Sequence, residues 1–445
     1  MTKVITYGTY DLFHEGHYKL LKRAKELGDY LIVGVTSENF DKERGKLNVR
    51  DSLIKRIENV KNTGFADEII IEEYQGQKVD DIKRYKVDIF TVGSDWEGHF
   101  DYLNEFCKVV YLQRTPQISS TSIRKLSTVR LGIIGAETIV RRFFAESKYV
   151  SGIEIVGIYD TEDRLTFAKN YAKELDVMLY ENLDNMLNDV DAVYICTPPK
   201  SHFKYVKYSL EHDNHVICEF PFMLNAEEAK FSFDLANQKS KILFHGLKTA
   251  YCPAFKRLAA LAKSGLIGNI LSVDARFTQV LGEDLSEVVR AFSGGSVNSL
   301  GEYPALAFVK ILGTDFKSVE FFSHYINNVD TYTRFHLKYD KVLTSATVAI
   351  NAKSEGSLII TGTKGYFYVP APWWKTEYFE ARFEDINKNM KYFYKFQGEG
   401  LRYEIAEFVQ SIIKAEQTVL LTPSETITMT KILEQYQKML NVEKF

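Results

Sequence analysis

Two histidines three residues apart, His14 and His17, close the run Gly8-Thr9-Tyr10-Asp11-Leu12-Phe13-His14-Glu15-Gly16-His17, which lies between an apolar strand pattern and a helical one. That spacing brings both imidazoles to one face of a first helical turn. A helix N-terminus offers unpaired backbone N–H groups and the positive end of the helix dipole, so the place suits a phosphate-rich ligand. Imidazoles there can donate to phosphate oxygens, and Gly8, Thr9, Tyr10, Asp11 and Gly16 stand in the same turn. An isolated pair of this kind would equally well cap the helix. The glycines, Thr9 and Asp11 in register favour the ligand site.

Two later segments add to it. Gly93-Ser94-Asp95-Trp96-Glu97-Gly98 follows the strand pattern Ile89 to Val92, which sets Gly93 and Asp95 at a strand's end. Arg114 precedes the hydroxyl run Ser119-Ser120-Thr121; its guanidinium is a fork of donors for phosphate, and the hydroxyls can line a further helix start. Together these segments resemble the glycerol-3-phosphate cytidylyltransferase family. The first has that family's form GTxDxxHxGH, the second its GDDWEG with Ser94 in place of an acid, and Arg114 to Ile123 its RTxxISSTxI. The resemblance covers Met1 to about Lys125 and implies transfer of CMP from CTP to a polyol phosphate, glycerol 3-phosphate above others. It also implies that a loop lysine and a helix arginine, Lys46 and Arg56, approach the phosphates; a solvated basic face is the alternative for that stretch.

Such a reaction needs no activated covalent nucleophile, because a phosphate monoester is already largely dianionic near neutral pH. Its oxygen can attack the α-phosphorus of CTP and expel pyrophosphate. The protein's part is positioning and charge stabilisation, with Mg2+ bridging triphosphate oxygens. His14, His17, Lys46 and Arg114 are the side chains expected to do this.

A second strand, turn and helix pattern starts at Val129 to Ile134 and ends its strand on Gly135; Ile153 to Tyr159 reads as the next strand, with Asp160 at its tip. From Val129 nearly to the C-terminus the chain resembles the Gfo/Idh/MocA family of nicotinamide-dependent oxidoreductases, in its dihydrodiol and sugar dehydrogenase branch. The resemblance implies NAD or NADP, with Asp160 accepting hydrogen bonds from an adenosine ribose. It rests further on Thr197-Pro198-Pro199 and His202, on Glu219, and on Tyr303 as candidate proton donor. Four positions depart from the pattern. Glu137 and Val140 replace the second and third residues of the glycine fingerprint, Phe220 replaces the lysine of Glu-Lys-Pro, and Ser299 replaces an aspartate. A glutamate adds bulk and negative charge where a pyrophosphate must come close. The reading is a degenerate redox region beside an intact transferase. A bifunctional enzyme whose reductase makes the polyol phosphate is the rival, a ligand-sensing or dimerisation module is a third reading, and Tyr303 could equally be a packed aromatic. Gly362-Thr363-Lys364-Gly365 reads as a turn between strands rather than a phosphate loop.

The elements that must position these residues follow from periodicity. Leu20, Leu21, Ala24 and Leu27 recur at helical spacing and Tyr30 to Val35 reads as a buried strand. Alternation of this kind predicts α/β architecture with parallel doubly wound sheets. From about Thr249, strand-like runs (Leu271 to Phe277, Val342 to Ala352, Ser357 to Thr361, Tyr366 to Val369) predict an α+β region with an open, mostly antiparallel sheet, closed by helices over Tyr403 to Lys414 and Ser424 to Leu440. The expected domains are 1–127, a cytidylyltransferase domain; 128–248, Rossmann-like; and 249–445. A chain of 445 residues is too long for one ordinary core. Its net charge of -3 argues against a general nucleic-acid binder. No apolar run reaches bilayer length, Met1 to Tyr7 lacks the regions of a signal peptide, and Cys107, Cys196, Cys218 and Cys252 show no CxxC spacing. A cytoplasmic protein with reduced thiols is expected, forming a homodimer because the second family's open sheet supports subunit contacts.

Overall fold

Apolar runs of five to seven residues build the first sheet: β1 (Lys3–Gly8), β2 (Tyr30–Thr36), β3 (Glu68–Glu72), β4 (Ile89–Gly93) and β5 (Lys108–Leu112). The structure is a computed structural model that describes residues 1–43, 49, 51–74, 76–113, 128–281 and 294–445; Lys46, Arg114, Ser119, Ser120 and Thr121 lie outside the described residues. It divides into two units, Met1–Thr128 forming the body of the first, and Val129–Lys148 with Ile153–Phe445 the second.

In the first unit all strands run parallel in the order β3-β2-β1-β4-β5. Parallel strands covered on both faces must be apolar throughout, and Val4, Ile5, Leu31, Ile32, Val33 and Phe90 are fully buried. The helix Glu15–Glu26 turns Leu21 and Ala24 inward, and the helix Leu53–Asn62 turns in Val60 and, unexpectedly for a charged residue, Arg56. The winding reverses between β1 and β4. In open α/β sheets ligands bind outside the carboxyl ends of the strands at such a point.

The second unit repeats the plan. β6 (Val129–Ile134), β7 (Ile153–Tyr159), β8 (Met178–Tyr180), β9 (Ala192–Ile195), β10 (His215–Glu219) and β11 (Leu243–Gly246) form a parallel sheet in the order β11-β10-β9-β6-β7-β8. Gly135, just past β6, has φ 110°, and a Cβ there would sit 2.8 Å from the Thr197 nitrogen. Only glycine permits that approach.

A nine-stranded sheet follows, in the order β19-β18-β17-β16-β12-β15-β14-β13-β20. Its strands are β12 (Ile270–Thr278), β13 (Ser318–Ile326), β14 (Val329–Lys338), β15 (Leu343–Ala349), β16 (Leu358–Gly362), β17 (Gly365–Val369), β18 (Tyr378–Phe383), β19 (Met390–Phe393) and β20 (Val442–Lys444). Pairing is antiparallel except for β12 with β15 and β13 with β20, so the sheet is mixed and mostly antiparallel as expected. Gly362 to Gly365 turns between β16 and β17. Arg402 of the helix Leu401–Lys414 grips Glu146 of the helix Ile139–Ser147 through bonds of 2.7 and 3.0 Å, tying the two sheets' layers into one unit. The last helix, Pro423–Gln437, starts on a capping box made by Thr422 and Glu425. The four cysteines are unpaired, and no helix among the described residues is long and apolar enough to cross a membrane.

Candidate active sites

At the end of β1 the chain turns over the buried ring of Tyr10, where a Cβ on Gly8 would stand 2.9 Å from that ring. Tyr10 and Leu12 both hold left-handed backbone conformations, φ 53° and 48°. Non-glycine residues pay for such conformations, which persist where surrounding structure fixes them, often at ligand sites. Here the fixing is done by buried polar ties. Asp11 accepts from the Asp51 N–H at 2.9 Å while the Asp51 carboxylate accepts from the Leu12 N–H at 3.1 Å. Thr9 Oγ1 donates to Asp41 at 2.8 Å. Arg56, fully buried, donates through Nη1 to the carbonyls of Thr9 (2.8 Å) and Thr36 (2.7 Å), through Nε to that of Asp51 (3.0 Å), and faces Asp41 at 3.4 Å.

The loop delivers His14 as the N-cap of the helix Glu15–Glu26, its Nδ1 accepting from the Gly16 N–H at 3.0 Å. That bond assigns the proton of the neutral ring to Nε2. His17 stacks on His14 with ring centroids 3.9 Å apart and planes at 19°, flanked by Tyr10 and Phe13 at 5.5 Å each. Capping and a ligand-facing donor are thus compatible in one residue. Beside them β4 ends at Gly93 and passes into a 3-10 turn, Ser94–Trp96, whose Trp96 ring packs against His99 at 5.5 Å and Phe100 at 5.9 Å.

The corresponding strand ends of the second unit are arranged differently. Asp160 is buried; its Oδ2 accepts from the Ala136 N–H (2.8 Å) and Arg164 Nε (3.0 Å), and its Oδ1 from the Thr161 N–H (2.8 Å). Arg164 also pairs with Glu137 at 2.6 Å. Two carboxylates share one guanidinium, so net negative charge stands where a pyrophosphate would bring more. This loop does not fit a dinucleotide, and Asp160, expected to take a ribose, instead closes the loop.

Thr197 and Pro198 belong to a second internal knot. His202, buried, meets the Thr197 carbonyl through Nε2 at 2.7 Å and the carbonyls of Pro221 and Phe222 through Nδ1 at 3.0 and 3.2 Å. Burial holds its pKa below the usual imidazole value, against the pull of those three carbonyls. It is a cross-link between strand ends rather than a ligand-facing group. Glu219 accepts from the Tyr194 hydroxyl at 2.5 Å. Tyr303 packs edge-on to Phe220 at 5.2 Å and Phe277 at 4.9 Å, and burial, with the charge of Glu219, pushes its hydroxyl well up.

Comparison with known proteins agrees with this division. Residues 5–126 match the model of the cytidylyltransferase-like family. A glycerol-3-phosphate cytidylyltransferase of Bacillus spizizenii is 48% identical over 125 residues, 28% of this chain and 96% of that protein. The chain belongs to the cytidylyltransferase-like family. Its first unit is a nucleotidyltransferase of the cytidylyltransferase type. Residues 129–247 match the oxidoreductase family, NAD-binding Rossmann fold, and residues 255–368 the GFO/IDH/MocA C-terminal domain. A trans-1,2-dihydrobenzene-1,2-diol dehydrogenase of Sus scrofa is 25% identical over 335 residues, 71% of this chain and 97% of that protein. The crystal structure of a 3-ketoreductase from Actinomadura kijaniata, with NADP and TDP-benzene, shares the fold at a TM-score of 0.64 and 19% identity, over 72% of this chain and 99% of its own.

Within the cytidylyltransferase unit, Gly8, Thr9, Tyr10, Asp11, His14, Gly16, His17, Gly93 and Asp95 lie at the carboxyl ends of two adjacent strands. Arg56 corrects the sequence reading. Expected to approach the phosphates, it is walled in by the carbonyls of three loops, although its Nη2 has no hydrogen-bond partner. Asp41 and Asp51, which lock the loop, were missed, since nothing in the sequence marks these aspartates as its partners. In the oxidoreductase-like unit Gly135, Thr197, Pro198, Glu219 and Tyr303 sit near strand ends, while Tyr194, Lys248 and Glu404 were not anticipated.

Proposed function

We propose that the first unit transfers CMP from CTP to a small polyol phosphate, glycerol 3-phosphate above others. The observation that carries this is the stacked His14–His17 pair, set on a helix N-terminus at the sheet's reversal point. The triphosphate lies against that helix start, with the Gly8 to His17 loop beneath it and Gly93 and Asp95 at its side. An acceptor phosphate oxygen bonds to the α-phosphorus as the bridging bond to the β-phosphate breaks, and pyrophosphate carries away the electron pair. His14 Nε2–H and His17 donate to the oxygens on which charge builds. Lys46 and Arg114, with Ser119, Ser120 and Thr121, are assigned to the same phosphates on the family pattern. Mg2+ bridging the triphosphate oxygens would neutralise the charge that builds there. Asp160, Glu137 and Arg164, spent on one another, together with Phe220, support an oxidoreductase-like unit that does not run ordinary dinucleotide-dependent hydride transfer. A panel of phosphorylated alcohols with CTP, followed by pyrophosphate release and product mass, tests the assignment. A CDP-polyol is the expected product; no turnover with any acceptor would overturn it.

A further inference from the structure

Three of the ties beneath the Gly8 to His17 loop converge on Asp51. Its N–H donates to the Asp11 carboxylate at 2.9 Å, its own carboxylate accepts from the Leu12 N–H at 3.1 Å, and its carbonyl accepts from Arg56 Nε at 3.0 Å. Backbone donor, backbone acceptor and side chain are all engaged. The next residue, Ser52, caps the helix Leu53–Asn62 by accepting from the Lys55 N–H at 3.3 Å, and that helix is seated through the fully buried Arg56 and Val60. Asp51 is therefore mounted on a fixed helix end and reaches the loop as a rigid support.

Leu12 is where that support acts. Tyr10 and Leu12 both hold left-handed conformations, φ 53° and 48°, which are unfavourable for residues with a Cβ. Tyr10 is kept there by packing, since its ring is 2% exposed and lies against Gly8. Leu12 is only half-buried, and its N–H is taken by Asp51. One residue, Phe13, separates Leu12 from His14, the N-cap whose Nδ1 accepts from the Gly16 N–H at 3.0 Å. A rotation of the Leu12 backbone is carried through Phe13 into the His14 ring, and with it into His17, stacked at 3.9 Å. A carboxylate offers a triphosphate nothing but repulsion. What Asp51 supplies is the conformation of its neighbour.

We propose that Asp51 is a positioning residue for CMP transfer, which holds Leu12 left-handed and so sets the angle at which His14 and His17 meet the reacting phosphates. The inference rests on the transferase reading of the same loop, so its test includes a readout that needs no turnover. Asp51→Ala should lower kcat roughly tenfold to a hundredfold, as a small misplacement of catalytic groups does, with the KM for CTP within a few-fold. Imidazole nitrogen NMR spectra of the full chain should show His14 Nδ1 losing its accepted hydrogen bond in the same variant. Asp51→Asn, whose amide oxygen still accepts from Leu12, should restore most of both. Leu12→Gly separates positioning from general support, because glycine takes a positive φ unaided. In that background Asp51→Ala should cost no more than about threefold beyond Leu12→Gly alone, the coupling expected of residues that act through one contact. Full kcat in Asp51→Ala, equal losses in kcat and in affinity for CTP, or the same loss in both Leu12 backgrounds would overturn the proposal. Absence of turnover in wild type would count against the transferase reading instead, and the His14 signal would then decide alone: unchanged in Asp51→Ala, it overturns the positioning role.

Discussion

The two parallel sheets end their first strands in the same way, on a glycine whose missing side chain lets the chain turn, and then diverge. After Gly8 the ties run beneath the loop: Thr9, Asp11 and Arg56 bond to Asp41, Asp51 and backbone carbonyls, and the helix start is left to His14 and His17. After Gly135 the ties run across the ligand's place, with Asp160 and Glu137 both on Arg164. One topology therefore leaves a helix start facing two stacked histidines in one copy and holds a self-satisfied charge cluster in the other. What separates them is which polar groups the fold has already paired.

The comparison can be broken most forcefully from beneath the first loop. Arg56→Met takes the guanidinium from the buried Asp41 carboxylate and from three carbonyls, and should cost about 3–5 kcal/mol in chemical denaturation. Lost activity with unchanged stability would instead mean that Arg56 acts on substrate. Next in size is His17→Ala, which should lower kcat by about a hundredfold to a thousandfold with the KM for CTP within a few-fold, as expected of a donor that acts mainly in the transition state. Equal losses in both parameters would remove that role.

The second unit offers a smaller effect of opposite sign. Burial and Glu219 raise the pKa of Glu404, so the folded chain keeps it protonated while the unfolded chain ionises it near ~4.3. Its contribution to stability is fully present below that pH and is lost as pH rises toward the folded value. Glu404→Gln removes the ionisation and should raise stability at pH 8 by about 1–3 kcal/mol relative to wild type, with little gain at pH 4. Equal effects at both pH values would show that Glu404 is already charged in the fold. Smallest of all, Glu137→Gly combined with Phe220→Lys should create weak NADH binding, detectable by protein-to-nicotinamide fluorescence transfer. A double variant indistinguishable from wild type would place the obstacle elsewhere in the loop.

The transferase loop was legible because its chemistry is local: glycine, cap and paired histidines fall within one strand-to-helix turn. Arg56 was not, because a basic residue on an amphipathic helix reads as solvated, and the carbonyls that surround it converge only in three dimensions. The same limit hid Lys248 and Glu404, which come from segments far apart in the chain. Of the parallel strands, β1, β2, β4, β6, β7 and β9 were read from their apolar runs. The helix Glu302–Leu312 was missed because it is buried on nearly all sides and so lacks the polar face that reveals helical period. The β13–β14 hairpin carried one unread signal, Asn327-Asn328, both in the left-handed region that tight hairpin turns require.

The central contrast, the phosphate site proposed for one unit and the self-paired charges of the other, is tested most directly by titrating CTP with Mg2+, NADH and NADPH separately into one preparation of the full chain. Saturable binding of CTP with none of either dinucleotide is the predicted result. Tight dinucleotide binding, or no binding of CTP, would contradict it.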